Sequence, residues 1–177
     1  MAHSGQVGIL VEDLFEELEL WYPYHRLREA GYAPLLIGAE RTTYHGKRGH
    51  DPARCESAAG DVDATRLEGL VVPGGYAPDR MRRAPQMIRL VREVAAQEKP
   101  IAAICHAAWV LISADLVRGR RLTSFPSVRD DVVNAGGDWV DEPVVVDGRL
   151  VTSRRPDDLP AFTAAFIQAL EATPAHR

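Results

Sequence analysis

Residues 101–111 read IAAICHAAWVL, and this stretch decides the fold. Apolar residues lead without a polar break into Cys105, and an apolar, helix-forming segment follows at once. Read as strand, tight turn and helix, the stretch sets one thiol at the carboxyl end of a sheet strand and the amino end of a helix. Unpaired N–H groups and the positive end of the helix dipole favour a thiolate there, so a cysteine ionised at neutral pH is expected. A buried core thiol is the competing reading, because free cysteine is among the most buried residue types. A strand-to-helix turn exposes its side chain, which favours the nucleophile.

Working outward, strands and helices alternate. Strands are expected at 6–11, 33–38, 67–72 and 100–104, the last delivering Cys105. A helix is expected over 14–30, with Leu14, Leu18, Trp21 and Leu27 as its apolar stripe, Gly31 as its stop and Pro23 kinking or splitting it. Residues 41–60 are polar and read as a hairpin or excursion at the sheet edge. Further helices are expected at 85–97, 106–114, 128–135 and 159–170, and further strands at 121–123, 144–146 and 150–153, the last pair joined by an Asp147-Gly148 turn. Buried strands alternating with helices imply one doubly wound α/β domain over residues 1–177, a mostly parallel sheet with helices on both faces. The site of such a sheet lies beyond the carboxyl ends of its strands. Three loops qualify: 12–19, 74–80 and the Cys105 turn.

Composition narrows the function. A net charge of −4 and scattered arginines give no reason to expect sequence-specific nucleic acid or an anionic membrane as a partner. No apolar run approaches the roughly 20 residues of a bilayer span, and MAHSGQVGILV lacks the basic start of a signal peptide. Cys55 and Cys105 sit in settings too different to suggest a disulfide, so a reducing cytoplasm is expected. No phosphate-binding glycine loop follows the first strand, and His45 and His50 lack metal-ligand spacing; neither a cofactor nor a metal is expected. His25 is expected to pack or pair.

The turn at Cys105 has the logic of a nucleophile elbow, in which the N–H groups of the next residues, His106 and Ala107, can form an oxyanion hole. Gly74-Gly75 closes the neighbouring strand and offers another N–H, although a Gly-Gly turn is as often only a turn. Glu16 and Glu19 share a helix face with Leu20, so at least one points inward; Glu19 is favoured. A carboxyl group beside a thiolate keeps its proton, because two anions in a dry pocket repel. Adjacent side chains at a turn do not aim together, so His106 is not assumed to take the Cys105 proton directly.

AAICH, the upstream VVPGG and the early FEELELWYPYHRLREAGY, followed by SFPSVRDDVVNAGGDWVDEPVVVDGRLVTSR, resemble the ThiJ/PfpI family almost end to end, in its branch of PfpI-type intracellular proteases and protein deglycases. The resemblance implies a flavodoxin-like fold, a nucleophile at Cys105, a glutamate at Glu19 hydrogen-bonded to the sulfur and a second acidic position at Glu16. It further implies a homodimer, often extended to a hexamer, in which an acid matching Asp79 reaches across to orient His106. A plain alternative for Asp79 is a helix cap. The family usually has Gly and often Pro after the histidine, where this chain has Ala107 and Ala108, and Asp79 is one methylene shorter than the usual glutamate. The implied activity is attack on reactive carbonyls, methylglyoxal or its early glycation adducts on protein or nucleotide, with Gly75 and the His106 N–H steadying the oxyanion. An intracellular cysteine peptidase and a redox-responsive stress protein without turnover are the alternatives.

Overall fold

The computed structural model describes residues 5–173; the signal-peptide reading rests partly on residues 1–4, outside them. Eleven strands and six helices follow in order: β1 (Gln6–Val11), α1 (Glu17–Glu29), β2 (Ala33–Gly38), β3 (Thr43–Tyr44), β4 (Ala53–Arg54), β5 (Ser57–Ala58), β6 (Leu67–Val72), α2 (Ala77–Met81), α3 (Pro85–Ala96), β7 (Ile101–Ile104), α4 (Ala108–Ser113), β8 (Arg121–Leu122), α5 (Arg129–Asn134), β9 (Asp138–Trp139), β10 (Val144–Asp147), β11 (Leu150–Ser153) and α6 (Leu159–Glu171). Seven strands form one sheet in the order β10-β11-β7-β6-β1-β2-β5, parallel except for β10. Every residue of β7 and β11 is buried, as central strands of a sheet covered on both faces are; β7 is apolar throughout, and β11 also buries Thr152 and Ser153.

The chain steps from β1 to β2 in one direction and from β6 to β7 in the other. Right-handed crossovers of opposite direction put α1 and α3 on opposite faces. Helix α1 packs beside α6, while α3 packs beside α4. Strands β1 and β6 lie side by side where the direction reverses, the place at whose carboxyl ends a doubly wound sheet sets its ligand site. Loops leaving β1, β6 and β7 all emerge there, so the sheet order alone gathers residues 12–19, 74–80 and 105.

Several expectations change in detail. Residues 14–16 are not helical: Leu14 turns through left-handed backbone at φ +67°, and Phe15 bridges Gly46 on one side and Gly75 on the other. Helix α1 then runs through Pro23 unbroken. Its inward face is Glu17, Glu19, Leu20, Pro23 and Leu27, leaving Leu14 and Leu18 36% and 51% exposed. Of the expected stripe Leu27 is buried and Leu14 and Leu18 are not; two acids, Glu17 and Glu19, share the buried face because polar partners await them. Residues 41–60 do form an edge excursion, with β3–β4 a small antiparallel pair and β5 the sheet's edge. Strand β8 leaves the main sheet to pair with β9, and the β10–β11 loop is Gly148-Arg149, one residue later than expected.

Candidate active site

Cys105 has φ +63° at the junction of β7 and the 3-10 turn Cys105–Ala107 that leads into α4. Left-handed backbone at a non-glycine residue costs of order 1–3 kcal/mol and persists only where its surroundings enforce it. Here the Phe125 N–H donates to the Cys105 carbonyl at 3.2 Å, fixing the elbow. The side chain is buried, 8% exposed, rather than displayed as expected of an elbow.

That burial reverses one expectation. Desolvation, then the Glu19 carboxylate, pushes the Cys105 thiol up to about 12, while N–H groups of Gly75 and His106 on the sulfur pull the other way. The resting sulfur is a thiol, because dipoles and two N–H donors do not outweigh the loss of water. Those two N–H groups were expected to serve a substrate oxyanion; in the resting site they hold sulfur. Gly74 is equally committed, its N–H donating to Glu19 Oε2 at 2.7 Å. Ala107 is fully buried behind the elbow.

Glu19 is fully buried, and desolvation raises its carboxyl to about 8 against the opposing Gly74 hydrogen bond. At neutral pH it carries its proton. Its Oε1 lacks a partner of ordinary hydrogen-bond geometry, yet the carboxyl and the thiol interact through charge and a looser hydrogen bond. The two groups titrate as a pair, and at neutral pH both keep their protons.

His106 does aim at its neighbour, contrary to expectation: Nδ1 lies 3.2 Å from Cys105 Sγ. The tight 3-10 turn folds the imidazole back over the thiol. Its ring stacks on Phe125 at 5.0 Å and meets Trp109 edge-on at 5.1 Å. Burial, with Lys47 adding to it, holds the imidazole below its ordinary pKa, so it is neutral and able to accept a proton.

Lys47 was missed in the sequence. It sits in the edge excursion, and its ammonium lies 2.5 Å from Oε2 of Glu16, which is 2% exposed. The Glu16 carboxylate holds the ammonium above its ordinary pKa. Its field also reaches Cys105, Glu19 and His106. Only a glycine-flanked polar segment marked it, which is no signal. Three backbone bonds knit the rim: Lys47 N–H to Phe15 O at 2.9 Å, Glu16 N–H to Gly74 O at 3.2 Å and Tyr76 N–H to Leu14 O at 2.9 Å.

Asp79 stands apart. It is exposed in the first turn of α2, without a capping hydrogen bond, and no partner of its side chain is found among the described residues. The structure thus gathers Cys105, His106, Glu19, Glu16, Gly74 and Gly75, with Ala107 behind them, and leaves Asp79 outside. Cys55 is buried too, its thiol pushed up to about 12 by desolvation, and both cysteines are free. Among the described residues no three His, Cys, Asp or Glu side chains could hold a metal, and no helix is long and apolar enough to cross a membrane.

The DJ-1/PfpI family model matches residues 5–169. A deglycase of Pyrococcus abyssi is 43% identical over 166 residues, covering 94% of this chain and 99% of the relative. A Bacillus subtilis protein whose name proposes a cysteine protease is 37% identical over 172 residues, covering 95% and 99%. Among solved structures, a two-domain protein of Anabaena variabilis with DJ-1/ThiJ/PfpI-like and ferritin-like domains superposes with a TM-score of 0.93 at 40% identity, over 97% of this chain and 50% of that one. The chain belongs to the DJ-1/PfpI family, with its flavodoxin-like doubly wound fold.

Proposed function

We propose that this DJ-1/PfpI family member is a cytoplasmic stress-response enzyme that uses Cys105 as nucleophile on reactive carbonyls, methylglyoxal or its early adducts on protein or nucleotide, without a cofactor. The observation that carries the reading is the thiol set 3.2 Å from a neutral imidazole and beside a protonated, buried Glu19. The deglycase name of the Pyrococcus abyssi relative supports the substrate class.

Sγ adds to the aldehyde carbon of methylglyoxal as its proton passes to His106 Nδ1, forming a C–S bond and an alkoxide that takes the proton to give a hemithioacetal. The Gly75 and His106 N–H groups, now holding sulfur, offset the charge that sulfur carries on the way. His106 next removes the proton on the former aldehyde carbon; the enediol is reprotonated at the adjacent carbon, leaving a lactoyl thioester on Cys105. Oxidation at one carbon balances reduction at the next, so no external oxidant or reductant is needed. Water hydrolyses the thioester to lactate and restores the thiol. Glu19, protonated at neutral pH, is the acid that hydrogen-bonds sulfur through these steps.

A peptidase would use the same nucleophile, and the Bacillus subtilis relative's name favours it as the second reading. The two separate on substrate. Freshly reduced protein should release lactate from the methylglyoxal adduct of N-acetylcysteine and leave unfolded casein intact, and Cys105→Ala should release no lactate and also leave casein intact. Casein cleavage lost in Cys105→Ala, without lactate release, would replace the carbonyl reading by the peptidase.

Assembly belongs to the same proposal. Tyr76, 63% exposed, and Leu14 are backbone-bonded neighbours beside the site, and Asp79 lies on the helix that Tyr76 begins. A second copy covering this rim would bury two large apolar side chains and bring Asp79 against a neighbouring chain.

A further inference from the structure

We infer that Ser127 is a positioning residue that fixes the tautomer of His106 from within the same chain. This rests on the proposed use of His106 as proton acceptor. The imidazole has two nitrogens, and when neutral only one carries hydrogen. Nδ1 faces Cys105 Sγ at 3.2 Å, and Nε2 faces Ser127 Oγ at 3.3 Å. A thiol can hand its proton only to a bare Nδ1, which requires the ring hydrogen on Nε2. The Ser127 hydroxyl has two lone pairs to accept that hydrogen, and its exposure leaves its own proton to water.

The remaining contacts make the arrangement rigid. Stacking on Phe125 and the edge contact with Trp109 oppose rotation of the ring about its own plane. Trp109 is itself anchored, its Nε1 donating to Asp131 Oδ2 at 2.9 Å. Ser127 rides on the 3-10 turn Pro126–Val128, which starts one residue after the Phe125 N–H bonded to the Cys105 carbonyl. Nucleophile, base and orienter are thereby tied to one elbow. Among the described residues the side-chain partner of Nε2 is the Ser127 hydroxyl, and no carboxylate contacts it.

The test combines 15N NMR of the His106 ring with the rate of Cys105 carboxamidomethylation at fixed pH. Wild type should carry hydrogen on Nε2 with Nδ1 bare. Ser127→Ala should mix the tautomers and slow alkylation about tenfold, well short of the loss on removing a buried carboxylate orienter. Ser127→Thr, which keeps the hydroxyl, should restore both readouts. A wild-type ring protonated on Nδ1, or a Ser127→Ala protein with unchanged spectrum and rate, would overturn the inference. Neither readout needs turnover, so absence of lactate formation by wild type would count against the proposed function alone.

Discussion

Glu19 is fully buried, and burial lifts its carboxyl to about 8, so at pH 7 it meets the thiol as an acid rather than an anion. The first proton to leave the Cys105–Glu19 pair therefore does so near pH 8, and the second near 12. Alkylation of Cys105 should rise through a step near pH 8, and Glu19→Gln should remove that step. An ordinary single thiol curve, unchanged by Glu19→Gln, would contradict the coupled titration. Stability should respond as well. Because the folded pKa lies above the ordinary 4.5, the native state keeps a proton that the unfolded chain loses. The stabilisation is complete below pH 4.5 and is lost as pH rises through 8. Urea unfolding at pH 5 and pH 9 should show wild type losing about 2–4 kcal/mol more than Glu19→Gln. The strand-turn-helix setting of Cys105 was legible in the sequence; its resting protonation was not, because the helix dipole is a local feature and desolvation depends on everything folded over the elbow.

Among the elements, the sequence least revealed α1 and the segment before it. Its apolar residues suggested a stripe including Leu14 and Leu18, yet the helix buries Glu17 and Glu19, because Gly74 N–H and Arg48 N–H wait for their carboxylates at 2.7 Å each. Partners 31 and 55 residues distant leave no local periodicity to read. Gly75 tests how tightly these loops are knitted. It has φ +79°, and a Cβ there would lie 2.5 Å from Glu16 N and 2.6 Å from Leu14 O. Gly75→Ala should destabilise the fold by about 2 kcal/mol or more in urea unfolding and abolish Cys105 reactivity. Removal of the Lys47 cation leaves buried Glu16 with only the more distant Arg48 guanidinium, 3.9 Å away. Lys47→Met should cost about 1–3 kcal/mol, less than a fully buried pair because the lysine side chain is 32% exposed. The double variant with Glu16→Gln should recover most of the loss. Independent, additive effects would show that the ion pair does not couple the edge excursion to α1.

Over the whole molecule, the parallel order was legible because β1, β2, β6 and β7 are apolar runs separated by helical segments, and the chain reverses direction at the β1–β6 junction. The β8–β9 pair was missed, since strands of two residues carry too little pattern to announce a separate sheet. The site follows from the same topology: three loops meet at the carboxyl edge, and all three, after β1, β6 and β7, were recognisable in sequence. Lys47 and Ser127 come from elsewhere in the chain and were not. Light scattering should find a homo-oligomer, and Tyr76→Glu should reduce its mass while leaving Cys105 alkylation intact. A monomeric wild type would remove the proposed second copy. The most direct test of the central claim is to run the methylglyoxal reaction in D2O and read the product by proton NMR. Wild type should yield lactate bearing deuterium on its hydroxyl-bearing carbon, and Cys105→Ala none. Absence of lactate from wild type, or equal yield from Cys105→Ala, would contradict it.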